Sequence, residues 1–207
     1  NGKEYIVKTI VTTETIKTIA ERNGVEMYDV YTGFKWIANV MRENEGKKNY
    51  IGGGEESYGF LCEDFVRDKD AVSACVILAE IAAWAKDQGL SLYQLLQKIY
   101  VEYGFSKEKG ISVVKKGKSG AEEIEAMMKK FRENPLTEIA GSKVTYFYDY
   151  STLKGKDYAE NETVTLDMPT TSNVLQYFTE DNTKVSIRPS GTEPKIKFYC
   201  EVHSKVK

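Results

Sequence analysis

Two short stretches of this 207-residue chain combine residue types suited to chemistry: IGGGEESYGF at 51–60 and RPSGTEP at 188–194. The first sets three glycines beside two glutamates, a serine and a tyrosine. Glycine-rich loops commonly wrap anions, because a backbone without Cβ atoms approaches a phosphate closely. Glu55 and Glu56 would repel one. Carboxylates instead accept hydrogen bonds from the vicinal hydroxyls of a polyol, and Ser57 can donate or accept. Neighbouring residues of an extended loop point apart, so Glu55 and Glu56 are not expected to face one ligand together. That counts against glycoside hydrolysis, whose two carboxylates flank the scissile bond. The alternative is an acidic surface turn, with Glu63 and Asp64 adding a weak metal site.

In the second stretch Arg188 offers a planar fork of donors suited to phosphate. Pro189 fixes φ, Gly191 is expected to free a turn, and Ser190 and Thr192 add hydroxyls beside exposed amides. Such a curled loop suits a phosphate nest; a decorated hairpin is the plain alternative. No G-x-x-x-x-G-K-[ST] pattern occurs, so it is not a Walker loop. One loop suits hydroxyls and the other phosphate, which together describe a sugar phosphate.

Composition narrows the classes. A net charge of −2 gives no electrostatic case for nucleic acid. Cys62, Cys75 and Cys200 are odd in number and widely spaced, which suits reduced thiols in a cytoplasmic protein better than a disulfide framework or a zinc site. The lone histidine, His203, reads as incidental. The most apolar run, 71–85, is interrupted by Ser73 and Glu80 and is shorter than the ~20 residues of a membrane span. It reads as a buried core helix, and no membrane partner is expected. The opening NGKEYIV is neither a signal peptide nor a natural start, so the chain is expected to begin inside a larger protein.

The elements that must position these loops follow from periodicity and caps. Strands are expected at 5–11, 25–31 and 48–51, and helices from Thr12 or Thr13 to about Asn23 and over about 35–45. A helix from about 70 to 88 follows, then one opening at Ser91, where Ser91 and Gln94 make a capping box. Strand–helix alternation argues an α/β domain with a mixed, largely parallel sheet over residues 1–105. Beyond FSKEKG (105–110) the character changes. A helix with Ile124, Met127, Met128 and Phe131 on one face is expected, capped by Ser119 and Glu122 and stopped at Asn134-Pro135. Strands alone follow at 144–150, 163–168, 174–178, 185–187 and 196–202, with a hairpin connection at 180–183. This predicts an α+β domain over 106–207, a helix packed on an antiparallel sheet.

At the two loops, and along essentially the whole chain, the sequence resembles the α-D-phosphohexomutase family of phosphoglucomutases and phosphomannomutases. GGGEESYGF resembles that family's sugar-recognition loop in its third domain, and RPSGTEPKIKFY the phosphate-binding loop of its fourth. TGFKWIANVM (32–41) resembles a further segment of the active-site rim. There Lys35 matches a basic residue that reaches the bound phosphosugar, while Phe34 stands where one branch has a histidine nearby.

The resemblance implies Glu55, Ser57 and Lys35 as sugar-binding residues and Arg188, Ser190, Gly191 and Thr192 as phosphate-binding residues. It also implies that a phosphoserine and an Asp-rich Mg²⁺ loop lie in first and second domains that have no counterpart here. On that basis the chain corresponds to the third and fourth domains, with the missing N-terminal domains as its partners. Family members also usually continue the fourth domain further, so the C-terminus is expected to be cut. The implied reaction interconverts hexose 1- and 6-phosphates, with hexose 1,6-bisphosphate as intermediate and activator. A non-catalytic sugar-phosphate module and a structural domain with ornate turns are the rival readings.

Overall fold

The computed structural model describes residues 2–115, 117–191 and 193–206. Contacts divide the chain into two compact units. The first runs to Phe105 and takes in Lys205 and Val206; the second covers Ser106–Ser204.

The first unit alternates strand and helix: β1 (Glu4–Thr9), α1 (Thr15–Arg22), β2 (Glu26–Val30), α2 (Phe34–Asn44), β3 (Asn49–Gly54), β4 (Phe60–Leu61), α3 (Ala71–Asp87) and α4 (Leu92–Tyr103). Among the described residues its sheet has the order β2-β1-β3-β4. β1 lies parallel to both β2 and β3, and β4 runs antiparallel to β3. The sheet is therefore mixed and largely parallel, as the alternation predicts. Alternate strand residues (Tyr5, Val7, Val30, Tyr50 and Leu61) meet Phe34, Ile37 and Met41, which share one face of α2. Full burial of each aliphatic or aromatic side chain in such a cluster contributes about 1.5–3 kcal/mol.

The glycines of the first loop have a different role from the one expected. β3 extends beyond residue 51 to Gly54, so Gly52, Gly53 and Gly54 belong to the strand. A Cβ on Gly53 would stand 2.3 Å from the Val7 carbonyl oxygen and 2.8 Å from the Tyr50 hydroxyl; one on Gly54 would stand 2.6 Å from the Gly59 carbonyl oxygen. These glycines permit close strand approach rather than wrapping an anion.

α3 departs from expectation as well. Its apolar run was expected to be buried, yet Ala85 is its one buried residue. Val72, Val76, Leu78, Ile81 and Trp84 are all exposed. The compact core is completed by α2 against the sheet, and α3 packs on β4 and α4 rather than across the strands. α4 opens with the expected reciprocal box between Ser91 and Gln94.

The second unit comprises β5 (Phe105–Val114), α5 (Gly117–Glu133), β6 (Glu138–Ile139), β7 (Ser142–Asp149), β8 (Lys154–Asp157), β9 (Glu162–Thr165), β10 (Leu175–Thr179), β11 (Lys184–Pro189) and β12 (Lys195–Ser204). The described sheet has the order β5-β12-β11-β10-β7-β8-β9, with β6 paired to β7. The pairs from β12 to β9 are antiparallel. Ile124 and Met128 of α5 pack on Leu175, Tyr177, Ile187 and Ile196, with Met127 and Phe131 beside them, which is the expected helix-on-sheet arrangement. α5 begins at Gly117, so Ser119 lies within its first turn rather than capping it. β5 and β8 were not foreseen. Their sequences FSKEKGISVV and KGKD are charged and lack clean apolar alternation, and most of β5 is exposed at the sheet edge, where charge blunts unwanted pairing.

Gly53→Ala is expected to destabilise the first unit by about 1–3 kcal/mol or more, because the clash is with backbone that has no room to retreat. Gly110→Ala, whose Cβ would meet nothing within 4 Å, serves as the control. Urea unfolding followed by circular dichroism checks this. A lowered midpoint for Gly53→Ala alone is the expected result, and equal midpoints would refute the packing role.

Candidate functional site

The residues between β3 and β4 form a tight turn. The Glu55 amide donates to the Gly59 carbonyl at 2.7 Å, and Gly54 pairs with Phe60. At its tip Tyr58 is 99% exposed and has φ of 68°, a left-handed conformation uncommon for a bulky residue. Sequence reasoning gave Tyr58 no role; the only cue was an aromatic inside a glycine-flanked turn.

Glu55 turns back toward the start of α2, where its Oε1 accepts the Gly33 amide at 2.7 Å. Gly33 is the N-cap of α2 and brings no side-chain cap of its own. A carboxylate from another element therefore satisfies a free amide at the positive end of the helix. Glu55 Oε2 has no protein donor among the described residues. Glu56 goes elsewhere: its Oε2 accepts the Thr9 hydroxyl at 3.3 Å, and Thr9 is linked to Thr12 at 2.8 Å. The two carboxylates are held by different elements, as expected of neighbouring residues that point apart. Ser57 is exposed, and its hydroxyl has no protein partner among the described residues.

Beside this turn lies an ion-pair network that sequence reasoning missed. Lys8 is fully buried and pairs with Asp29 at 2.7 Å and Glu14 at 3.0 Å. Burial alone would depress its ammonium, but Asp29 and Glu14 together hold it above the ordinary lysine value. The parallel register sets Lys8 opposite Asp29 and so fixes the strand end that carries Thr9. The signal lay in charged residues within two adjacent strand segments, but pairing register is not visible in either segment alone.

Lys35 is exposed in the first turn of α2, 5.2 Å from the Trp36 ring centre. It lines a cavity of about 390 Å³ with Asn39, Arg42, Arg67 and Asp68; Glu55 and Ser57 are not in that lining. The structure thus joins Glu55 to the turn just before Lys35 without placing both side chains in one pocket. Among the described residues no group of three or more His, Cys, Asp or Glu is placed to hold a metal ion, so Glu63 and Asp64 build no such site there.

In the second unit, Arg188 and Pro189 end β11, pairing with Lys197 and Ile196 of β12. The loop is closed by the Ser190 amide on the Lys195 carbonyl at 2.8 Å and held to the chain before α5 by the Lys115 amide on the Pro194 carbonyl at 2.8 Å. Ser190 and Gly191 line a cavity of about 430 Å³ with Lys195, Asn173 and Glu125 of α5. Asn173 is a lining residue that sequence reasoning missed. Its side chain accepts from Arg132, whose Nε donates to Asp149 at 3.0 Å. The half-buried Arg188 is not in that lining, and it has no carboxylate partner among the described residues. Gly191 was expected to free a turn, yet its φ is not left-handed and a Cβ would meet nothing within 4 Å. Thr192 lies outside the described residues.

Comparison with known proteins agrees with this division. Residues 1–103 match the family model described as phosphoglucomutase/phosphomannomutase, alpha/beta/alpha domain III, and residues 112–207 match that of the C-terminal domain. The chain is 40% identical over 197 residues to a phosphoglucomutase of Staphylococcus aureus, covering 95% of this chain and 35% of the relative. It is 36% identical over 198 residues to that of Staphylococcus haemolyticus, covering 96% and 36%. It spans only about a third of the length of these curated relatives. Among solved structures, the fold is similar to the open form of pp63/parafusin, a phosphoglucomutase from Paramecium, with TM-score 0.63 and 18% identity over 96% of this chain and 33% of that one. A phosphomannomutase-like structure from Thermus thermophilus gives TM-score 0.62 at 17% identity, covering 99% and 33%. The chain belongs to the phosphoglucomutase/phosphomannomutase family and carries its domain III and its C-terminal domain.

Proposed function

We infer that this chain is the sugar- and phosphate-holding part of a phosphohexomutase that interconverts hexose 1-phosphate and hexose 6-phosphate in the cytoplasm. The observation that carries the reading is Arg188: a half-buried guanidinium with no carboxylate partner among the described residues, one residue from a loop whose Ser190 and Gly191 line a cavity. Such a group is suited to a bound phosphate, with Ser190, Gly191 and Thr192 completing the phosphate-binding set.

In the first unit Glu55 divides its labour. Oε1 holds the Gly33 amide, and Oε2 accepts a ring hydroxyl, with Ser57 as second partner of the ring. Lys35 supplies positive charge to the phosphosugar. The hydroxyls are present whichever end of the sugar reacts, so these residues hold substrate in both orientations. A phosphoserine donor outside this chain transfers its phosphoryl group, and the resulting bisphosphate turns round and returns the other one. Mg²⁺, held by residues outside this chain, would supply charge stabilisation to that transfer. The residues here contribute positioning, which dominates such reactions. The name shared by the staphylococcal relatives supports glucose over mannose.

Two outcomes test the reading. The purified 207-residue chain is expected to show no interconversion of glucose 1-phosphate and glucose 6-phosphate in a coupled assay; turnover free of host enzyme would overturn the division of roles. In the longer protein, Arg188→Ala is expected to weaken hexose-phosphate binding by about 1.5–3 kcal/mol, the range for charged hydrogen bonds. Arg188→Lys should recover only part, because a point charge lacks the fork. Calorimetric titration reads both, and unchanged affinities would leave the loop a simple hairpin.

A further inference from the structure

The strand order β2-β1-β3 contains a reversal. α1 carries the chain from β1 to β2, and α2 carries it back past β1 to β3. The two connections leave β1 on opposite faces. Val7 packs in the core with α2, whereas the next residue, Lys8, pairs with Glu14, the N-cap of α1. Where the connections of parallel strands diverge in this way, a crevice opens outside the carboxyl ends of the strands, and open α/β sheets hold ligands there. Here it lies between the ends of β1 and β3, bordered by residues 10–14 and by the 55–58 turn.

A side-chain bond spans that crevice. The register sets Lys8 opposite Gly54, so Thr9, the last residue of β1, stands beside the start of the turn. Alternation places Thr9 on the face of Tyr5 and Val7, the side on which α2 packs. Thr9 is fully buried, and its hydroxyl donates to Glu56 Oε2 at 3.3 Å. A threonine has one hydroxyl proton, so in the 2.8 Å bond to Thr12 it is Thr9 that accepts. A chain of fixed direction, Thr12 to Thr9 to Glu56, therefore runs from the residues before α1 to the turn. Glu55 is meanwhile held by the Gly33 amide at the N-cap of α2. Two consecutive residues are thus tethered to two different elements, and Ser57 follows directly from the second.

We propose that Thr9 and Glu56 are positioning residues for the sugar: neither touches it, and their bond across the crevice sets where Ser57 and Glu55 Oε2 stand. The inference rests on the reading above that this turn holds ring hydroxyls. It gives the two neighbouring glutamates different duties, Glu55 toward the ligand and Glu56 toward the sheet. A turn tethered before substrate arrives has less freedom to lose on binding. The hydroxyls are held whichever end of the sugar reacts, so the tether supports ground state and transition state alike. Its loss therefore raises KM and changes kcat little. Inorganic phosphate has no ring hydroxyl and gains nothing from the tether.

Steady-state kinetics of the longer protein test this with Thr9→Val, which keeps the shape and removes the hydroxyl, with Glu56→Ala, and with the two combined. Each single variant is expected to raise KM for glucose 1-phosphate several-fold, while kcat and inhibition by inorganic phosphate change little. The combined variant should be no worse than the worse single one, because both substitutions remove the same bond. Thr9→Ser, which keeps the hydroxyl, should keep the original KM. Should Thr9→Val fail to fold, Glu56→Ala is set against Glu56→Gln, which retains an acceptor for Thr9 and should stay near the original KM. Unchanged KM in Thr9→Val and Glu56→Ala, with KM raised in Glu55→Gln, would overturn the positioning role and leave the sugar reading standing. Unchanged KM in all three would overturn both. Effects that simply add, or phosphate inhibition lost together with sugar affinity, would also overturn the proposal, by assigning Thr9 and Glu56 to general stability.

Discussion

The bond between the Glu55 carboxylate and the Gly33 amide is the interaction on which the first unit's candidate site depends. It joins the β3–β4 turn to the start of α2, two elements well apart in sequence, and uses only one carboxylate oxygen. A helix that begins at glycine has no side-chain cap of its own, so its free amide selects an acceptor from elsewhere. The second oxygen of that carboxylate lies beside Gly59, 3.1 Å from where a Cβ there would stand, and has no protein donor among the described residues. Gly53 and Gly54 make this reach possible, since strand contacts as close as theirs exclude a Cβ. Behind them, the buried Lys8 ammonium stays charged because Asp29 and Glu14 both approach it, which stabilises the strand end bearing Thr9 and hence Glu56.

The second unit meets an equivalent demand differently. Its loop is a connection between paired strands, closed by backbone bonds and bordered by α5, so its shape follows from the sheet register. The Arg132–Asn173 contact fixes one wall of the cavity through a side-chain relay anchored on Asp149. Rigid strands thus present the loop, while helix packing sets the volume beside it.

Much of this was legible in the sequence where the signal is local. Alternation and caps placed the helices and most strands, and the reciprocal Ser91–Gln94 box formed as read. RPSGTEP stood out because an arginine, a proline and two hydroxyls are excessive for a plain turn. What escaped depends on distant partners. The capping role of Glu55, the pairing of Lys8 with Asp29 and the crowding at Gly53 all arise only when separate strands come together. β5 and β8 were hidden because charged edge strands carry no apolar rhythm. The apolar run of α3 marked a helix correctly, but whether a helix is covered depends on what lies against it.

The central claim is that one oxygen of Glu55 serves the fold and the other serves the ligand. Its most direct test is a crystal structure of the longer protein with bound glucose 1-phosphate. Oε1 is expected to remain on the Gly33 amide, with Oε2 within hydrogen-bonding distance of a ring hydroxyl. A bound sugar that leaves Oε2 to water or protein alone, with its hydroxyls held by other residues, would contradict it.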